Sequence, residues 1–244
     1  MNRTAAALVI GNELLSGKVH DANTHTLARA LRPLGIELRR VVVIPDEVEL
    51  IAAEVNSLRL AHDFVFTSGG VGPTHDDVTV EGIALGLGRR VVRSAAIEAL
   101  LREHYGARLT DGHLHMADVV EGTELFPGAS PSWPTMVLGN VFVLPGVPQI
   151  FAFKLEGLLP RLRGDEAPFV LRSVECAIDE GPLKPYLDAI VARFADVAVG
   201  SYPHWGDDAH RVRVTFDGRD PARVSGAHEA FVRELPAEWV VRSD

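Results

Sequence analysis

Three apolar runs, each followed by a helical pattern, most constrain the fold of this 244-residue chain. Ala5 to Ile10 is apolar at every position, which is typical of a parallel strand that is covered on both faces. Glu37 to Ile44 and Phe64 to Phe66 predict the second and third strands. Strands that alternate with helices form right-handed βαβ units, so we expect an α/β fold, a three-layer α/β/α sandwich with a mostly parallel sheet.

Helix-capping signals fill the gaps between these strands. Asn23 is predicted to cap a helix whose apolar face is followed by a stop at Gly35. The segment from Asp46 to Glu49 resembles a capping box at the start of the next helix. Val78 to Gly86 predicts another helix, and we expect one of the two aspartates before it to be its N-cap.

The remaining part of the first domain is predicted to end in a hairpin and a helix. A helix over residues 95 to 105 is followed by a polar connection. Met136 to Leu138 and Val141 to Leu144 flank Gly139-Asn140, which predicts a β-hairpin with a two-residue turn. Val147 to Leu162 then predicts a long helix.

A domain boundary is predicted where apolar periodicity gives way to turn and charged residues between Arg163 and Pro168. This pattern divides the chain into residues 1–164 and 165–244. The second part has the β-α-β-β-α-β order of a smaller ferredoxin-like α+β domain. Its predicted elements are a strand (169–178), a helix (182–194), two strands (197–202 and 210–216), a helix (221–234) and a short strand (239–242).

A glycine-rich loop follows the third predicted strand and reads T-S-G-G-V-G-P-T-H-D-D-V-T from Thr67 to Thr79. Glycines at 69, 70 and 72 allow a sharp turn that brings backbone N–H groups close to a phosphate or another anion. Asp76 and Asp77 supply hard oxygen ligands for a cation such as Mg²⁺. The alternative is that Asp77 only caps the helix. The spacing matches neither a Walker loop nor the dinucleotide fingerprint.

Three segments with polar residues follow predicted strands and should therefore meet at one edge of the sheet. They are Gly11 to Glu13, Asp46, and the loop from Gly69 to Asp77. Asp46 and Asp77 are candidates to hold a metal that neutralises a diphosphate and makes its phosphorus easier to attack. Additional candidates for ligand or metal contacts are Asp76, Glu13, Asp21, Thr74, Thr79 and Asn23.

Four ordered motifs carry a family resemblance. They are the loop just described, Ile10 to Gly17 with Asp21 and Asn23, Pro45-Asp46, and Leu144-Pro145-Gly146-Val147-Pro148. Together they cover about residues 5 to 160 and resemble the molybdopterin-binding domain of molybdenum-cofactor biosynthesis proteins. The version in competence/damage-inducible protein A and in the N-terminal part of eukaryotic FAD synthases is the most similar.

The resemblance implies a site. It gives catalytic roles to Asp46 and Asp77, and a divalent metal (Mg, Mn or Co) at Asp46, Asp76 and Asp77. The residues that it implies for ligand binding are Gly11, Asn12, Glu13, Asp21, Asn23, Ser68, Gly69, Gly70, Gly72, Pro73, Thr74, Thr79, Pro145 and Gly146.

The resemblance leaves three functions open. The first is a metal-dependent pyrophosphatase that acts on ADP-ribose-like or FAD-like nucleotides. The second is molybdopterin binding or adenylyl transfer in molybdenum-cofactor biosynthesis, and the third is a noncatalytic ligand-binding module. Many competence-type relatives carry N-x-x-G-x-A-P-G before the L-P-G-x-P motif, whereas this chain has Pro131 to Leu138, which resembles the FAD-synthase variant.

Composition narrows the possible partners. A net charge of −9 without a Lys/Arg cluster disfavours nucleic acid. Cys176 is the only cysteine, which excludes an intrachain disulfide and a cysteine zinc site. The chain starts with a strand pattern instead of a signal peptide and has no apolar run of the ~20 residues that span a bilayer, so we expect a cytoplasmic protein without membrane contact. The relatives imply a homo-oligomer.

Overall fold

The chain divides into two units, residues 1–166 and 167–244, and the division falls two residues after the predicted boundary. A computed structural model describes residues 3–128, 133–206 and 210–244. Pro131 and Ser132, which begin the segment that resembles the FAD-synthase variant, lie outside these ranges. A helix long and apolar enough to cross a membrane is absent from the described part of the chain.

The strands of the first unit are β1 (Thr4–Ile10), β2 (Glu37–Ile44), β3 (Phe64–Ser68), β4 (Val91–Arg93), β5 (Asp118–Val120), β6 (Glu124–Phe126), β7 (Thr135–Leu138) and β8 (Val141–Leu144). The main sheet has the order β2-β1-β3-β8-β7-β6. Its first four strands run parallel, and β7 and β6 add an antiparallel edge. β4 and β5 form a separate antiparallel pair. The mostly parallel sheet is confirmed.

The helices of the first unit are α1 (Asn12–Leu15), α2 (Asn23–Leu31), α3 (Val48–Ala61), α4 (Thr79–Leu87), α5 (Ala95–Tyr105), α6 (Asp111–His115) and α7 (Pro148–Leu162). A 3-10 turn, Arg32–Leu34, extends α2 to Gly35, whose φ of 65° ends it. Alternate residues of β1 point to opposite faces: Ala7 and Val9 pack with α2 and α7, whereas Leu8 and Ile10 pack with α3 and α4. The three-layer sandwich is confirmed.

The predicted polar connection after α5 is wrong in part. It contains a 3-10 turn (Gly106–Arg108), α6, β5 and β6. β5 and β6, like β4 before α5, have only three residues each. A three-residue strand is too short to show a two-residue period, so the sequence gives no strand signal there.

The predicted helix N-caps are wrong, because the side chains expected to cap form other hydrogen bonds. Ala22 occupies the N-cap of α2, and Oδ1 of Asp21 accepts hydrogen bonds from the backbone N–H groups of Asn23 (2.9 Å) and Thr24 (3.1 Å). Glu47 and Val78 occupy the N-caps of α3 and α4 without a side-chain hydrogen bond. The carboxylates expected at those caps bond to loops of the site described below.

The second unit has the ferredoxin-like arrangement. Its elements are β9 (Val170–Cys176), α8 (Glu180–Arg193), β10 (Ala198–Pro203), β11 (Val212–Gly218), α9 (Pro221–Glu234), a 3-10 turn (Ala237–Trp239) and β12 (Val240–Ser243). The sheet order is β10-β11-β9-β12 with antiparallel neighbours, as two interleaved split βαβ units require. Cys176 is fully buried in this unit, and burial raises the pKa of its thiol to about 11.

The close approach of α3 and α4 depends on glycine. A Cβ atom at Gly86 would lie 2.5 Å from the carbonyl oxygen of Ala52, which is a backbone atom that cannot rotate away. We therefore expect Gly86→Ala to lower the free energy of unfolding by about 2 kcal/mol, since the gain in helix propensity does not offset the clash. Urea denaturation followed by circular dichroism measures the change.

The matched control is Gly181→Ala in α8, where a Cβ atom meets nothing within 4 Å. This variant should unfold at the same urea concentration as the wild type or at a slightly higher one. Equal stability of Gly86→Ala and the wild type would contradict the close packing of α3 and α4.

Candidate functional site

The carboxyl ends of β1, β2, β3 and β8 bring four loops together. The N–H of Gly11, after β1, donates to the carbonyl of Ile44 at the end of β2 (3.1 Å). The N–H of Gly69, after β3, donates to Leu144 at the end of β8 (3.2 Å). Helices α2 and α3 cover opposite faces of the sheet, so a crevice opens beside β1, the position at which open α/β sheets bind ligands.

The glycine loop lies against the end of β1 at a distance that only glycine allows. Gly69 has a φ of 104°, and a Cβ atom there would lie 2.1 Å from the carbonyl oxygen of Ile10. Gly70 has a φ of 63°, and its Cβ would lie 2.3 Å from Oγ1 of Thr79. Thr79 in turn fixes the loop, because its hydroxyl donates to Gly69 O (2.9 Å) and its N–H donates to Gly70 O (3.0 Å).

Asp77 closes the second half of the loop instead of capping α4. Its Oδ2 accepts hydrogen bonds from the N–H of Thr74 (2.8 Å) and from the Thr74 hydroxyl. The same carboxylate lies beside Gly72, where a Cβ atom would be 2.7 Å from Oδ2. His75, by contrast, has a side chain that is 96% exposed, 4.0 Å from Asp76. Asp77 is therefore held in place through its Oδ2.

Asp46 belongs to an acidic cluster, not to a capping box. Its Oδ2 accepts a hydrogen bond from the N–H of Asn12 (2.8 Å), which links the loops after β1 and β2. Burial raises the pKa of Asp46 above its usual value, and the negative charges of Glu13, Asp76 and Asp77 raise it further against the effect of the Asn12 N–H. Three carboxylates from the loops after β1 and β3 are thus close enough to Asp46 to raise its pKa.

This cluster has the donor chemistry that a hard divalent cation prefers, because every donor is a carboxylate oxygen. Within residues 3–128, 133–206 and 210–244, no three His, Cys, Asp or Glu side chains are arranged to hold a metal ion by themselves. Mg²⁺ commonly uses one or two carboxylates and completes its shell with water and substrate phosphates. The residues fit a metal of that kind.

The Asn23 side chain links the end of β3 to the loop after β8. The Asn23 side chain is 5% exposed, and its Nδ2 donates to Ser68 Oγ (2.9 Å) and to Gly146 O (2.8 Å). A Cβ atom at Gly146 would lie 3.4 Å from the Cα of Gly69, so the loop after β8 contacts the glycine loop directly. Asp21 and Asn23 thus stabilise the crevice.

A cavity of about 1110 Å³ opens from this edge, somewhat larger than most small-molecule sites. One end is polar, and the opposite wall is apolar and aromatic. The predicted residues that line it are Glu13, Gly69, Gly70, Gly72, Asp77, Pro145 and Gly146. The predicted residues that do not are Gly11, Asn12, Asp21, Asn23, Asp46, Ser68, Pro73, Thr74, Asp76 and Thr79.

The sequence did not predict the apolar wall or the lysine within it. The wall comes from α5, the segment before β7 and helix α7, which are distant in the sequence and share no motif. One feature of the sequence could have indicated Lys154: it is a charged residue that interrupts an apolar stretch of α7 between Phe153 and Leu155. The main unpredicted lining residues are Ile97, Leu100, Tyr105, Met116, Trp133, Met136, Val147, Ile150, Phe153 and Lys154.

Gly70 and Gly88 have the same φ of 63°, so substitutions at the two positions distinguish the cost of the left-handed backbone from the cost of a close contact. Gly70 faces the Thr79 hydroxyl, whereas a Cβ atom at Gly88 meets nothing within 4 Å. We expect Gly88→Ala to cost about 1 kcal/mol of stability, the penalty of the left-handed backbone alone. Gly70→Ala should cost more, because it also displaces Thr79 from Gly69. Equal losses in thermal or urea unfolding would contradict the role of this contact.

Family models of known proteins match both units of the chain. Residues 6–164 match the family model described as "Probable molybdopterin binding domain". Residues 168–244 match the model described as "FAD synthase, middle domain".

Similar proteins cover nearly the whole chain. A protein from Archaeoglobus fulgidus is 33% identical over 222 residues, which is 91% of this chain and 93% of that protein. "Probable FAD synthase" of Caenorhabditis elegans is 30% identical over 268 residues; the match covers 99% of this chain but only 51% of that protein, so this chain spans about half its length. A crystal structure of the protein CinA, of unknown function, from Thermoplasma acidophilum has a TM-score of 0.61 and 29% identity, and the match covers 66% of this chain and 100% of that one. The chain therefore belongs to the molybdopterin-binding domain family, here combined with a domain similar to the middle domain of FAD synthase.

Proposed function

We propose that this protein is a metal-dependent pyrophosphatase that hydrolyses the phosphoanhydride bond of ADP-ribose-like or FAD-like nucleotides. The observation that carries the proposal is the acidic cluster of Glu13, Asp46, Asp76 and Asp77 beside the glycine loop, of which Glu13 and Asp77 line the polar end of a large cavity. A divalent metal that accompanies a diphosphate would offset the negative charge of the carboxylates at that end, and a planar ring would pack against the apolar wall.

Each part of the site has a role in this reaction. Gly69, Gly70 and Gly72 carry no side chains of their own, so the loop backbone could approach a diphosphate closely. Asp46 and Asp77 would hold a divalent metal, which supplies charge neutralisation and makes the phosphorus more open to attack. Thr74 keeps the Asp77 carboxylate oriented through its N–H and hydroxyl. The apolar wall excludes water from the rest of the ligand.

Molybdopterin binding or adenylyl transfer is the second candidate, favoured by the family match over residues 6–164. The same loop would hold the phosphate of a pterin, and the same wall would contact its ring. The two candidates differ in chemistry, because adenylyl transfer consumes ATP and releases pyrophosphate, whereas hydrolysis of FAD or ADP-ribose releases AMP. A noncatalytic module would bind these ligands without converting them.

The first prediction concerns turnover. Purified protein with Mg²⁺, Mn²⁺ or Co²⁺ should release AMP from FAD or ADP-ribose, measured by chromatography. Asp77→Asn should lower the rate by at least about 100-fold, because it keeps the acceptor oxygen for Thr74 but removes the charge that would bind metal.

The matched control is Asp63→Asn, at the opposite end of β3, where the carboxylate accepts hydrogen bonds from the N–H and hydroxyl of Thr4. This variant should retain the wild-type rate. Activity that persists in Asp77→Asn would refute the role of that residue. No AMP release from the folded wild type with any of these metals would favour the molybdopterin candidate.

A second prediction concerns charge repulsion without metal. The pKa of Asp46 in the folded protein is raised above the usual value of 3.8. The contribution of Asp46 to the free energy of unfolding is therefore present below pH 3.8, where the carboxyl group is protonated, and is lost as the pH rises and the group ionises. Asp46→Asn should therefore gain stability relative to the wild type between about pH 4 and pH 7. Thermal melting in EDTA measures this difference.

Adding Mn²⁺ at pH 7 should raise the melting temperature of the wild type more than that of Asp46→Asn. Parallel melting curves of the two proteins across pH and metal concentration would contradict the proposed cluster.

A further inference from the structure

The cavity wall contains a buried positive charge that the proposed hydrolysis does not use. The Lys154 side chain belongs to a residue only 8% exposed, and burial lowers its pKa to about 8. Among the described residues, no carboxylate forms an ion pair with it. A buried ammonium group without a counter-ion is costly, so such a group is retained where it has a partner or a ligand.

Among the residues that the structure describes, Lys154 uses two of its three hydrogen-bond donors. Its Nζ donates to the carbonyl oxygens of Trp133 (3.0 Å) and Pro134 (2.8 Å). An ammonium group carries three N–H bonds, so one remains for a group in the cavity that Lys154 lines. The acceptor must come from a ligand that also suits an apolar environment.

The surroundings of Lys154 favour a planar ring. Trp133 and Tyr105 line the same cavity, and so do Ile150 and Phe153, which remain 43% and 47% exposed despite being apolar. Val147, Ile150 and Lys154 follow a three- and four-residue spacing that places them on one side of α7. A flat heterocycle would cover this wall and place a ring oxygen against the ammonium group.

We propose that Lys154 donates a hydrogen bond to a carbonyl oxygen on the heterocycle of the ligand, and that it thereby selects ligands with an oxo-substituted ring over those that carry adenine alone. The inference rests on the proposed function, in which the phosphates lie at the glycine loop. FAD and ADP-ribose form a matched pair of probes, because both contain adenine and a diphosphate but only FAD carries a ring with carbonyl oxygens.

Isothermal titration in EDTA, which prevents metal-dependent turnover, tests the proposal. The wild type should bind FAD more tightly than ADP-ribose. Lys154→Met should weaken FAD binding by about 10- to 100-fold, as expected for a lost hydrogen bond from a charged donor, and change ADP-ribose binding less than about twofold. Lys184→Met, an exposed lysine on α8, should change neither.

The pH dependence of the wild type tests the same contact without a substitution. Above a pKa of about 8 the lysine is neutral, and its two remaining N–H bonds are those used by Trp133 and Pro134. The neutral amine then directs its lone pair at the ring oxygen, so this hydrogen bond is lost. FAD affinity should fall by up to about tenfold from pH 7 to pH 9, whereas ADP-ribose affinity and the Lys154→Met variant should show no such step.

The outcomes separate this inference from the proposed function. Equal losses for FAD and ADP-ribose in Lys154→Met, or a flat wild-type profile for FAD, would overturn the role of Lys154 while leaving hydrolysis intact. Binding of neither probe by the wild type, with or without metal, would refute both. If Lys154→Met melts well below the wild type, the wild-type pH profile decides.

Discussion

The site depends on the close approach of the loop after β3 to the end of β1. A side chain at Gly69 would place its Cβ 2.1 Å from the carbonyl oxygen of Ile10, so the two strand ends can meet only if this residue is glycine. Thr79 then bonds to the loop backbone and fixes the start of α4 against it. The carboxylates that follow the neighbouring strands are brought together by the same packing.

The charges at the two ends of the cavity are both unfavourable without a ligand. At the polar end, burial raises the pKa of Asp46, the neighbouring carboxylates raise it further, and a cation would offset their negative charge. At the apolar wall, Lys154 is buried, and the described residues accept hydrogen bonds from only two of its three N–H groups. Groups that are unsatisfied in the free protein and satisfied by one ligand are typical of a binding site. A diphosphate with a metal and an oxo-substituted ring would satisfy both ends.

The sequence predicted the features that depend on local pattern. β2 has the predicted bounds, Glu37–Ile44, and the hairpin at Gly139 and the order of the second unit follow from turn residues and period. The roles of individual polar residues were predicted less well. Asn23, Asp46 and Asp77 are all residue types that cap helices. Asp77 instead bonds to Thr74 within its own loop. Asn23 and Asp46 make contacts between loops, which depend on positions that the local sequence does not encode. The apolar wall was not predicted for the same reason.

The central claim is that the glycine loop and the acidic cluster form one site for a metal and a diphosphate. A crystal structure with Mn²⁺ and a methylene-bridged analogue of ADP-ribose, which cannot be hydrolysed, tests it most directly. The account predicts an anomalous manganese peak bound by Asp46 and Asp77, with the analogue's phosphates against the backbone of Gly69 to Gly72. Manganese or phosphates bound at another place, with this loop empty, would contradict it.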